Sequence, residues 1–298
     1  MAKIPPLYRK PPKSLEEQVQ ILVNRGVCVT DVPQACLVLG RLNYYRFCGY
    51  GLFFENFSTE GKRLDQFKEG TTFKQILNLY HWDESLRNLL REALAWVEVS
   101  FRTAFVYEMA ITTKNPFWHL DSQWMTFKHD STQFESDCTD AAKEATEVFT
   151  KHFQEAYQSD VTPCWILAEI LSFGKWSRLF GCLKHKENTK RVANRLGAPP
   201  NDIVSWIRSL VVLRNRCAHH GRLWGYSFKL RPSMTPTMQK LNWSADRLGI
   251  MIWIITDLMR KEPERRERFL NQLKILLSQC PEDYSAPLGI KNAEVVWK

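Results

Sequence analysis

Five polar or ionisable side chains close an otherwise apolar stretch. Leu213-Arg-Asn-Arg-Cys-Ala-His-His220 follows Val204, Trp206, Ile207, Leu210 and Val211, which repeat at helical spacing. A helix C-terminus accounts for one or two of these residues, because cations there answer the helix dipole and donate to the last free carbonyls. It does not account for Arg214, Asn215, Arg216, His219 and His220 together. On an ideal helix Asn215 and His219 share a face, i and i+4, about 40° apart. Arg214 lies about 140° from His219. The two can meet only through the long arginine side chain, through unwinding before Gly221, or across a dimer axis. A histidine on a cationic helix end suits general acid–base work. Arg178 and His185 fit a looser Arg-x4–6-His spacing, which reads as a solvated helix face.

The elements that must hold this group are helical. Ser14-Leu-Glu-Glu17 has the form of a capping box. It opens a helix through Val19, Leu22 and Val23 that Gly26 closes. A short helix follows Asp31, and then comes Asn43-Tyr-Tyr-Arg-Phe-Cys-Gly-Tyr50. Residues 55–71 read as a loop and the best domain boundary. Thr72-x-x-Gln75 caps the next helix and Asp83 the one after, which runs to about Ile111 along Leu86, Leu90, Leu94, Val97, Phe101 and Phe105. Further helices are expected at 132–158, 163–183, 186–196, 201–220, 243–261 and 263–279, with Gly221 as the stop after the motif. The fold class is therefore all-α: a small N-terminal helical module (1–70), a helical bundle carrying the motif (71–280) and a C-terminal tail packing on that bundle (281–298).

Composition narrows the function classes. The chain has 298 residues, 44% hydrophobic and 24% charged, which is globular rather than disordered. Its 41 Lys and Arg against 32 Asp and Glu give a charge of +9, so an anionic partner is expected. No apolar run is long enough to span a bilayer, and MAKIPPLYRKPPKS has no apolar segment of the signal-peptide kind, so a cytoplasmic protein without a membrane partner is expected. The eight cysteines stand singly and suggest reduced core residues, with no metal site and no cofactor.

The blocks Lys10-Pro-Pro-Lys-Ser-Leu-Glu-Glu-Gln18, Leu42-Asn-Tyr-Tyr-Arg-Phe-Cys-Gly-Tyr50, Leu79-Tyr-His-Trp-Asp83 and Val97-Glu-Val-Ser-Phe-Arg102 occur in that order. Pro163-Cys-Trp165, Ser172-Phe-Gly174, Leu213 to Trp224, and Leu288-Gly-Ile with Trp297-Lys298 complete the series. In these blocks the sequence resembles the Abi-like (abortive infection) family of the HEPN superfamily, and the bundle is expected to be HEPN-like. The resemblance implies metal-independent RNA cleavage by Arg-Asn-x-x-x-His, with two motifs meeting in a homodimer. RNA supplies its own nucleophile, the 2′-hydroxyl. His219 would move a proton, Arg214 would hold the phosphorane-like charge, and Asn215 would position the imidazole or the phosphate. Glu98 and Arg102, i and i+4 on the long helix, would pair and orient Arg214 or His219. His220 and Arg222 are further phosphate contacts. Tyr44, Tyr45 and Arg46 would stack on and grip RNA, although aromatic residues at such spacing are more often core. Three readings compete: a phage-defence endoribonuclease acting as a toxin, restrained by an RNA or protein antitoxin; a non-catalytic RNA-sequestering protein; and a scaffold, which leaves the motif unexplained.

Overall fold

The computed structural model describes residues 11–126, 130–157, 159, 161–291 and 294, so Lys10, Trp297 and Lys298 of the blocks above lie outside the described residues. The chain divides into two compact units, Met1–Glu84 with Gln279–Glu282, and Ser85–Ser278 with Asp283–Lys298.

In the first unit, α1 (Leu15–Asn24) is opened by the expected capping box. Ser14 Oγ accepts the Glu17 N–H at 3.2 Å, and the Glu17 carboxylate accepts the Ser14 N–H at 2.8 Å. Asp31 caps α2 (Val32–Leu42) by accepting the Gln34 N–H, and Asn43 caps α3 (Tyr44–Gly51) by accepting the Tyr45 N–H. Residues 55–71 are not merely a loop. Glu55–Phe57 (β1) and Arg63–Phe67 (β2) form an antiparallel hairpin, the one sheet among the described residues. The hairpin escapes sequence pattern because β2 is exposed except at Phe67, so it has no apolar alternation. Its anchor is the buried Glu55 carboxylate, which accepts from both Arg25 and Arg63. A single unpaired charge there would be costly, and two guanidiniums remove that cost.

Thr72 and Gln75 cap α4, which is continuous from Phe73 to Thr113. Asp83 therefore caps nothing. It is buried within the helix and accepts the Tyr50 hydroxyl at 2.7 Å, so its polarity is spent on a tertiary contact.

The second unit continues with α5 (Ser131–Glu144), α6 (Val148–Ala156), α7 (Cys164–Ile170), α8 (Phe173–Phe180), α9 (Lys186–Leu196), α10 (Ile203–Ala218), α11 (Pro236–Lys240), α12 (Leu248–Leu258), α13 (Pro263–Ser278) and α14 (Ser285–Leu288). Two expected helices are each broken in two. The 132–158 segment is interrupted between Glu144 and Val148, and the 163–183 segment turns extended at Leu171 and Ser172, where Ser172 caps α8. The expected 243–261 helix begins only at Leu248. Phe101, Phe105, Trp118, Phe173, Trp176 and Phe180 form an aromatic core around α4 and α8, with ring centroids 5.0–6.3 Å apart. Leu288 of α14 and Ile290 after it are buried, and Trp243 Nε1 donates to the Lys291 carbonyl at 2.6 Å. No helix among the described residues is long and apolar enough to cross a membrane.

Candidate active site

The apolar face of α10 buries Trp206, Ile207, Leu210, Leu213 and Cys217, which fixes the helix and leaves its C-terminal polar residues at the surface of the second unit. The helix ends in a Schellman motif. The Gly221 N–H reaches back to the Arg216 carbonyl at 2.8 Å, and the His220 N–H to the Cys217 carbonyl at 3.1 Å. Contrary to the sequence expectation, His220 takes the left-handed position, with φ of 55°, while Gly221 follows it. Gly221 is required by crowding: a Cβ there would lie 2.8 Å from Arg216 Cγ and 3.2 Å from the Arg216 carbonyl oxygen.

Arg214 turns away from His219 and toward α4. Its Nε donates to Glu98 Oε2 at 3.0 Å and its Nη2 to Glu98 Oε1 at 3.2 Å, a bidentate ion pair, while Nη1 donates to Asn215 Oδ1 at 3.1 Å. Glu98 is buried, whereas 36% of the Arg214 side chain remains exposed. Three of the five guanidinium N–H bonds are thus committed, and two are left for an anion. Arg102 stands one turn along α4, 3.9 Å from Glu98, and its Nη1 donates to the Leu171 carbonyl at 3.4 Å. That carbonyl is available because the chain breaks out of the helix there. Glu98 therefore serves Arg214 first and Arg102 second.

Asn215 links the group, accepting from Arg214 through its side chain and from the His219 N–H through its backbone carbonyl at 2.9 Å. His219 is the C-cap residue and is exposed, as is His220. No hydrogen bond joins Arg214 to His219 among the described residues, so the local unwinding at the helix end does not bring the two together within the chain. The sequence names Arg216 in the polar cluster but assigns it no role. It stacks on Tyr226, 3.3 Å from guanidinium carbon to ring centroid, and donates to the Arg222 carbonyl at 2.7 Å, which ties the chain after the motif to the helix. A cation ten residues before an aromatic leaves no local spacing signal. Arg222 is half-buried.

The model of the Abi-like protein family matches residues 37–225, well over half of the chain, and the match ends six residues after the motif. The chain belongs to the Abi-like family. The match takes in α3, Glu98, Arg102 and the whole Arg214–Trp224 block of this Abi-like protein, but not the Lys10–Gln18 or Leu288–Ile290 blocks. Comparison with curated proteins and with solved structures yields no match.

Tyr44, Tyr45 and Arg46 belong to the first unit. Tyr45 is 75% exposed and meets Tyr44 edge to face at 5.7 Å. Tyr44 is half-buried, and burial together with the neighbouring Cys48 pushes its phenol up to about 12. Both line a cavity of about 900 Å³ with Arg25, Arg41, Cys48 and Arg63. Among the described residues no three His, Cys, Asp or Glu side chains gather in the manner of metal ligands.

Proposed function

We propose that this Abi-like protein is a HEPN-type endoribonuclease of phage defence, which cuts RNA without a metal ion by attack of the 2′-hydroxyl on the adjacent phosphate. The observation that carries this reading is the clamping of Arg214 by the buried Glu98 and by Asn215, beside an exposed His219 on the same helix end. A guanidinium held on one edge and open on the other is preorganised for charge that builds on a phosphate, at little reorganisation cost. His219 can protonate the leaving 5′-oxygen or take the 2′-hydroxyl proton. Glu98 and Arg102 act as positioning residues. The absence of an Arg214–His219 bond within one chain favours a homodimer, in which the arginine of one protomer serves the histidine of its partner. An RNA or protein antitoxin would restrain such an enzyme.

The test is incubation of purified protein with RNA in EDTA, beside His219→Ala. Products ending in a 2′,3′-cyclic phosphate, absent with the variant, are expected. A 3′-hydroxyl product, or activity that chelation removes and metal restores, would overturn the mechanism. RNA binding without cleavage would favour the sequestering alternative, which the basic charge and exposed histidines also fit.

A further inference from the structure

The motif face of α10 extends beyond the motif. Residues i+7 and i+11 on a helix each fall about 20° from residue i, one on either side, which places Arg208 between Asn215 and His219 on one stripe about 40° wide. Arg208 is exposed, as His219 is. At 1.5 Å per residue it stands about 10 Å from Asn215 and about 16 Å from His219 along the axis. Across from it runs α8, antiparallel to α10: a Cβ at Gly174 would sit 3.7 Å from Val211 Cγ1, and one at Gly181 3.6 Å from Val204 Cγ1. This pairing sets Arg178, which is exposed, opposite Arg208. The two line one cleft of about 390 Å³ with Lys175, Asp130 and Asp137. The carboxylates offset only part of this charge, one against Lys175 and one against the two arginines. Asp137 lies 3.3 Å from Lys175 Nζ, and Asp130 accepts the Gln133 N–H at 3.0 Å to cap α5. Neither the Arg178 nor the Arg208 side chain has an ion-pair or hydrogen-bond partner among the described residues. Two unpaired guanidiniums sharing a cleft repel one another unless an anion lies between them.

We propose that the Arg178–Arg208 cleft is a phosphate subsite for the RNA strand whose scissile bond lies at the motif, a few nucleotides along the same face of α10. The inference rests on the reading of the motif as an RNA site. It names the path that the strand takes away from it: from His219 past Asn215 to Arg208, with Arg178 closing on the backbone from α8. Contacts of this kind position the strand and carry no sequence preference.

The test uses full-length His219→Ala protein, so that the RNA stays uncut, with a fluorescein-labelled single-stranded RNA followed by anisotropy across a salt series. Each phosphate neutralised on a single strand contributes about 0.7 to the slope of log K against log salt. The Arg178→Gln/Arg208→Gln double variant should show a slope shallower by about 1.4 and weaker binding at every salt concentration. Lys190→Gln, an exposed lysine on α9 that already faces Glu187, should keep the parent slope. A double variant that keeps the parent slope and affinity overturns the subsite while leaving the ribonuclease reading intact. A parent that binds RNA but, with His219 restored, cuts none overturns the ribonuclease reading, and the slope change still supports the cleft. A parent that binds no RNA overturns both.

Discussion

Arg214 divides its donors between Glu98, Asn215 and solvent, so different substitutions at this one position report different things. Arg214→Ala strands the buried Glu98 with only Arg102 nearby, and breaking a buried pair in this way costs about 3 kcal/mol. Lost activity in that variant would be mixed with lost stability. Arg214→Lys keeps the charge and removes the planar fork. It should retain a melting temperature near that of the wild type while RNA cleavage falls on the order of 100-fold, as when one preorganised donor is deleted from an anion site. Cleavage within threefold of wild type would sink the fork's role. A different residue bears on acid stability. His119 is fully buried, neither ring nitrogen has a hydrogen-bond partner among the described residues, and burial holds its pKa down at about 4, against an ordinary 6.5. As pH falls below 6.5 the unfolded chain takes the proton first, so the stability is complete above 6.5 and is lost progressively down to about 4. The loss amounts to about 3 kcal/mol. His119→Phe should flatten that part of the stability–pH curve, read by denaturant titration between pH 4 and 7. An unchanged slope would refute the assignment.

The end of α10 shows what one element contributes beyond its side chains. Gly221→Ala would press a methyl group onto Arg216 Cγ and the Arg216 carbonyl, and the arginine would have to leave Tyr226 or the Schellman turn would have to open. A stability loss of about 1–2 kcal/mol is expected, with RNA cleavage falling as the turn after His219 shifts; thermal melts and the EDTA assay read the two effects. Unaltered stability would mean that Arg216 yields freely. The motif and its helix are legible in the sequence because Trp206 to Leu213 carry a strong helical period and the polar cluster interrupts it. The capping boxes at Ser14 and Thr72 are legible because local chemistry decides them. Other features are set by distant partners. Asp83 has the composition of a cap, but Tyr50 claims its carboxylate; the β1–β2 hairpin is organised by Glu55 between two arginines rather than by alternation; and the break at Leu171 occurs inside an apolar run. The partnership of Glu98 with Arg214 is legible as two polar positions on apolar helices. Its bidentate form depends on packing across 116 residues.

At the scale of the whole molecule, the open question for chemistry is where the second charged group comes from. An Arg214 committed to Glu98 does not bond its own His219, and a two-fold axis passing near the end of α10 would let two such motifs face one another. From sequence, Trp224 follows the motif as an apolar residue expected at the surface and in the dimer contact. It is instead 1% exposed, a core residue of its own unit, and so takes no part in any such surface. The exposed apolar residues on the helix that supplies Glu98 are Val99, Tyr107 and Ile111, and Val99 adjoins Glu98 in sequence. A homodimer that uses this face should show twice the chain mass in light scattering at micromolar concentration, and Val99→Asp should shift it toward monomer with cleavage falling in parallel. Complementation supplies the sharper measurement. Arg214→Lys and His219→Ala proteins, each reduced on the order of 100-fold or more alone, are mixed and allowed to exchange subunits. If each centre draws arginine from one protomer and histidine from its partner, one of the two centres in a mixed dimer has both wild-type groups, and up to about a quarter of wild-type activity should return, because half of the dimers are mixed. If both groups come from the same chain, every centre in the mixture carries one defect and no activity returns. A monomer that cuts RNA at full rate removes the dimer from the mechanism altogether and requires the open edge of Arg214 and the His219 of the same chain to meet on one phosphate.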